Sequence, residues 1–195
     1  MRSSSGRLVF LFALLFPFLP GCAALIAAGV VSGVGTGVAV SQDRRTGGIF
    51  VEDEGIEVKS GRRISEKFGS EVHVNVTSFN RNVLLTGEVP SESAKKEISS
   101  LVMGVENVHN VTNEIIVGGI SSFMSRSNDA LITSKVKGRF MDAGKFQVNH
   151  VKVVTENGVV FLLGMVSREE AESAVEVASS TSGVKKVVKI FEYQS

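Results

Sequence analysis

One cysteine, three histidines and no tryptophan occur in 195 residues, and neither sign of charge dominates, with 21 basic against 20 acidic side chains. Each scarcity closes off a class of chemistry. A single thiol, Cys22, admits no internal disulfide framework. His73, His109 and His150 stand far apart in the chain, with no second cysteine and no His-x-x-x-His spacing, so the sequence offers no zinc ligand set. No serine lies in a nucleophile elbow. The fragment Gly33-Val34-Gly35-Thr36-Gly37 has no strand before it and no lysine after it, which separates it from a phosphate-binding loop. The balanced charge argues against a nucleic-acid partner. No enzyme is expected, and neither a catalytic residue, a metal ligand nor a cofactor is assigned.

What is present begins at the first residues. Arg2 and Arg7 precede an apolar run from Leu8 to Leu19. At about 12 residues it is too short for a bilayer-spanning helix, which needs roughly 20. A basic start, a short apolar core and small residues at a cleavage point make a secretory signal over 1–21. The ending Leu19-Pro20-Gly21-Cys22 resembles the lipobox of bacterial lipoproteins. That resemblance implies that the signal is cut before Cys22, that its sulfur is diacylated and that its new amine is acylated. Two or three acyl chains anchor a protein stably, at about 0.8 kcal/mol per buried methylene. Ala23, where lipoproteins kept in the inner membrane often carry Asp, implies sorting to the outer membrane, facing the periplasm. Leu8 to Val40 also admits a reading as one uncharged membrane segment, but its second half is rich in Gly and Ala and Pro17 and Pro20 interrupt its first. Residues 22–51 read as a lipidated, flexible spacer.

The remainder is one unit written twice. HVNVTSFNRNVLLTGEVPSESAKKEI from His73 aligns with HVKVVTENGVVFLLGMVSREEAESAV from His150. Val74 meets Val151, Gly87 meets Gly164 and Ala94 meets Ala171. Leu85 is paired with Leu163, and, across a two-residue insertion, Gly104-Val105 with Gly183-Val184. Val74 and Val76 alternate with polar residues, the period of a half-buried strand. Asn80-Arg81-Asn82 and Glu156-Asn157-Gly158 supply turn chemistry, and Val83-Leu84-Leu85 and Val159 to Leu163 close the hairpins. Gly87 and Gly164 predict a bulge or a close backbone approach. A helix follows each hairpin, capped by Ser91 in the first copy, with Ala94, Ile98, Leu101 and Val102, or Ala171, Val175 and Ala178, on its inner face. Gly104 and Gly183 are expected to stop these helices. Last strands are predicted over Asn107–Val117 and Val184–Tyr193. A leading helix spans Ile56–Phe68 in copy one; in copy two Asn128 or Asp129 caps one running through Leu131, Ile132, Val136 and Phe140.

The order helix, strand, strand, helix, strand gives an α+β fold, two helices on one face of a small mixed sheet. Tandem units with a glycine between second strand and second helix, and a Gly-Val before the last strand, resemble BON domains. A lipobox followed by two of them is similar to the dual-BON-domain lipoproteins of the Gram-negative outer membrane. The expected boundaries are 52–117 for the first domain, 118–128 for a linker and 129–195 for the second.

Charge then distinguishes the copies. Glu52 to Gly118 holds 7 basic and 11 acidic residues, whereas Asp129 to Ser195 holds 9 and 8. Lys135, Lys137 and Arg139 crowd the second copy's leading helix, among Leu131, Val136 and Met141. A basic residue near an anionic bilayer is worth about 1 kcal/mol. The resemblance implies that this helix contacts phospholipid, so Leu131, Lys135, Val136, Lys137, Arg139 and Met141 are the expected lipid-binding residues. The expected partner is anionic phospholipid of the outer membrane, such as phosphatidylglycerol, in support of envelope integrity. The other reading is an adaptor that docks on outer-membrane barrel-assembly proteins through the acidic first unit and its helix Ser91–Met103.

Overall fold

A computed structural model of the chain describes residues 43–194. Cys22 and the signal-like segment lie outside the described residues. The first unit opens with α1 (Gly47–Phe68), followed by β1 (His73–Phe79), β2 (Asn82–Val89), α2 (Glu92–Met103), β3 (Asn110–Asn113) and β4 (Ile116–Val117). The second repeats the order as α3 (Phe123–Ala143), β5 (Val151–Glu156), β6 (Val159–Val166), α4 (Arg168–Ser179) and β7 (Lys186–Tyr193). In each unit the hairpin is antiparallel, and the strand after the second helix returns parallel to the hairpin's second strand, which is therefore central. Helices α2 and α4 are the crossovers that a parallel pairing requires. In the first unit the returning strand is broken at Glu114-Ile115, where Ile115 turns into the core.

Alternation along the central strands sends side chains to two different cores. Val83, Leu85 and Val89 join Ile56 and Ile64 of α1 and Ala94, Ile98 and Val102 of α2. Val160, Leu162 and Val166 join Ile132, Val136 and Phe140 of α3 and Ala171, Ala174, Val177 and Ala178 of α4. The intervening residues form a third cluster, in which Phe79 and Leu84 of the first sheet meet Phe161 and Leu163 of the second. Each sheet is thus buried on both faces, one under its own helices and one against the other sheet. That explains the unbroken apolar run Val159 to Leu163, which a half-exposed strand would not need.

The glycine expectation holds as a close approach. A Cβ at Gly87 would lie 2.0 Å from the His73 carbonyl oxygen, and one at Gly164 would lie 2.3 Å from that of His150. Both glycines sit opposite the start of the first hairpin strand, Gly87 against Val74 and Gly164 against Val151, and fix the repeat register. Counted from them, the counterpart of Leu85 is Leu162, which points into its own core, and not Leu163, which points to the other sheet. The helix-stop expectation holds for Gly104, but α4 ends on Ser180. Gly183 lies three residues further, at φ 97°, and its counterpart is Asn107 at φ 67°. The two units share a left-handed residue after the helix, supplied once by Gly and once by Asn, the two types that tolerate it best.

Both leading helices begin earlier than their sequences suggest. Thr46 caps α1, accepting from the Ile49 N–H. Ser122 caps α3, accepting from the Ser125 N–H at 3.2 Å. The segment 118–128 is therefore helical from Phe123 onward. Asp129 is not a cap but a buried residue within α3.

Candidate functional site

Asp129 explains what holds α3 in place. Its carboxylate accepts from the backbone N–H of Asn157 at 2.9 Å and of Gly158 at 2.8 Å, the tip of the β5–β6 hairpin. Asp53 repeats the device in the first unit, accepting from the N–H groups of Asn80 and Arg81, both at 2.8 Å, and from the Ser78 hydroxyl at 2.7 Å. A buried carboxylate with such donors satisfies turn N–H groups that would otherwise be orphaned. At the other end of α3, Arg139 donates from Nη1 to the Val177 carbonyl at 3.1 Å and to Thr181 Oγ1 at 2.9 Å, closing the C-terminal end of α4. Between these ties Ile132, Val136 and Phe140 are fully packed in the core.

With that face fixed, the opposite face is fixed too. Phe123 is 78% exposed, Met124 76%, Leu131 60% and Met141 70%. Lys135 and Lys137 are exposed among them, and among the described residues neither forms a salt bridge. At 1.5 Å per residue the four apolar side chains span about 27 Å along the axis. The helix ends are closed by Ser122 and by Gly144, whose φ of 58° suits a left-handed cap. This is a rigid, outward-facing strip of large apolar side chains flanked by two ammonium groups.

Of the six residues expected at a lipid site, the structure brings Leu131, Lys135 and Met141 onto this strip and Lys137 to its edge, beside a hollow that it lines with Glu54 and Lys152. One expectation is corrected. Val136 is fully buried, 140° around the helix from Leu131, and offers nothing to a surface. Arg139 is exposed, and its Nη1 donates to the end of α4. Phe123 and Met124, assigned from sequence to a linker, are the most exposed large apolar residues described. Their signal was present: seven residues separate Met124 from Leu131, which puts both on one side of a helix. No described helix is long and apolar enough to cross a membrane.

The structure also gathers His73, Glu88 and Glu156. His73 and Glu88 are direct cross-strand neighbours, and Glu156 reaches them from the second unit. Sequence reasoning had no spacing to find them by, because Glu156 comes from the other copy. A signal existed in the comparison of copies, where Glu88 stands at the position of Met165 and Glu156 at that of Phe79.

Comparison with known proteins agrees with the repeat. The BON domain family model matches residues 52–119 and 128–195. The chain is 39% identical over 178 residues to the outer membrane lipoprotein DolP of Haemophilus influenzae, covering 90% of each chain. It is 36% identical over 153 residues to the 21 kDa hemolysin of Actinobacillus pleuropneumoniae, covering 77% of this chain and 79% of that one. It is 28% identical over 144 residues to the osmotically-inducible protein Y of Escherichia coli, covering 72% of each.

Proposed function

Since the chain belongs to the BON-domain family, as a dual-BON lipoprotein of the DolP type, we propose that it is tethered to the outer membrane through acyl chains on Cys22 and that α3 binds anionic phospholipid there. The observation that carries this reading is the outer strip of α3, where Phe123, Met124, Leu131 and Met141 stand exposed beside Lys135 and Lys137.

The mechanism has two signals. Acylation confines the chain to the membrane and needs no recognition by the fold. The strip of α3 then tests local composition: each lysine gains about 1 kcal/mol near an anionic surface, and the apolar side chains gain by leaving water for the acyl boundary. Neither element suffices alone, so binding responds to the density of anionic headgroups. The envelope role follows from placing such a sensor on the periplasmic side of the outer membrane. The alternative reading, an adaptor docking on barrel-assembly proteins, would use the acidic first unit and its helix α2.

Co-sedimentation of the acyl-free protein with vesicles tests the reading. Binding to vesicles containing phosphatidylglycerol, weak binding to pure phosphatidylcholine, and loss of the difference as salt shortens the Debye length are expected. Equal binding to both vesicle types removes the headgroup selectivity. Binding to neither removes the lipid function and favours the adaptor.

A further inference from the structure

Glu88 and Glu156 are buried between the two units, 3% and 5% exposed. Their surroundings are reciprocal: Asn75 of the first unit donates to Glu156 at 2.9 Å, and Asn157 of the second donates to Glu88 at 2.7 Å. The Ser121 N–H also donates to Glu88, at 3.2 Å. These are neutral donors, so two acidic groups share a site without a full counter-charge. Beside them the Nε2 atom of His73 is shut off from solvent and meets no hydrogen-bond partner. Such an atom costs free energy unless something is bound to it. One ligand atom from each of His73, Glu88 and Glu156 lies within 4.8 Å of the other two.

We propose that His73, Glu88 and Glu156 form a divalent transition-metal site of the Zn²⁺ type that joins the two BON domains. An imidazole nitrogen with two carboxylates suits Zn²⁺ and its neighbours, whereas Ca²⁺ and Mg²⁺ take oxygen ligands. Bonds of about 2.1 Å set tetrahedral ligand atoms about 3.4 Å apart, so the three ligand atoms need to approach one another by at most about 1.4 Å. His73, Thr133 and Glu156 line a hollow beside the cluster, from which a water would supply the fourth ligand. Arg126 lines it as well, but its guanidinium donates to the Ser121 carbonyl. A metal here would clamp the start of β1 and the end of β2 to the end of β5, and so lock the two sheets together.

The test uses the full chain in detergent, stripped with chelator and titrated with Zn²⁺ against a chromophoric competitor. One equivalent should bind, and Zn²⁺ at a hundred times Kd should raise Tm by about 5–10 °C. His73→Ala and Glu156→Gln should each weaken binding at least about tenfold, whereas His109→Ala and His150→Ala should not. Where a variant fails to fold, the ¹⁵N resonance of the His73 ring in the unaltered protein decides: Zn²⁺ should move it and leave the other two rings in place. The proposal is overturned if no stoichiometric Zn²⁺ binds, if binding survives both substitutions, or if the ring that responds is not that of His73.

Discussion

Gly164 stands where a methyl group has no room, since its Cβ would meet the carbonyl oxygen of His150 and not the movable end of a side chain. Gly87 faces the same obstacle at His73, with a φ of 113° besides. Backbone cannot swing aside as a lysine tail can, so Gly164→Ala should cost about 1–3 kcal/mol, in the range of overpacked cores. Gly61, in α1, has nothing within 4 Å of an added Cβ. There the helical cost of glycine dominates, and Gly61→Ala should gain about 0.5–1 kcal/mol. Urea denaturation of the two variants measures both signs. At this scale the sequence was informative where a residue type admits few explanations, as at these paired glycines. It was misleading where one type serves several ends. Asp129 beside a helical pattern has the chemistry of a cap, yet its carboxylate is turned inward to the Asn157-Gly158 hairpin.

Helix α3 has a buried face and an exposed face, and mutations on the two should separate packing from lipid binding. Leu131 is exposed and Phe140 is fully buried, with its ring 5.0 Å edge-on from Phe146. Leu131→Glu should leave the urea midpoint nearly unchanged and abolish most binding to anionic vesicles, because it removes an apolar anchor and adds a repelling charge. Phe140→Ala should cost about 3–5 kcal/mol through the cavity it leaves, while the part that remains folded still binds. If Leu131→Glu binds vesicles as before, α3 is not the lipid contact. The period of Ile132, Val136 and Phe140 made the inner face legible, and Leu131 was correctly set on the outer one. Val136 belongs with the core by that same period. The start of the helix was not legible: Gly118 to Ser122 is loop chemistry, and Phe123 and Met124 directly after it carry no cap signal except Ser122 itself.

For the molecule as a whole, duplication was the readable fact. Two copies of one pattern predicted two α+β units, and both formed with the strands and crossover helices in the expected order. What pattern alone did not reveal was that the sheets pack on each other through Phe79, Leu84, Phe161 and Leu163. A strand apolar on both faces states that each face is covered and is silent on what covers it. The departures between copies hold that information, since Phe161 and Leu163 face the seam in one sheet while Glu88 and Glu156 meet within it. The sheets are thereby committed to each other, which leaves α3 outward and available to a surface. The central claim is that this outer face enters an anionic bilayer. The chain has no tryptophan, so Phe123→Trp introduces a single indole at the most exposed apolar position of the strip. Added to phosphatidylglycerol vesicles, the acyl-free variant should show a blue-shifted emission that brominated acyl chains quench, and phosphatidylcholine vesicles should produce neither change. An indole that keeps the emission of a water-exposed group while the protein sediments with the vesicles would contradict the account.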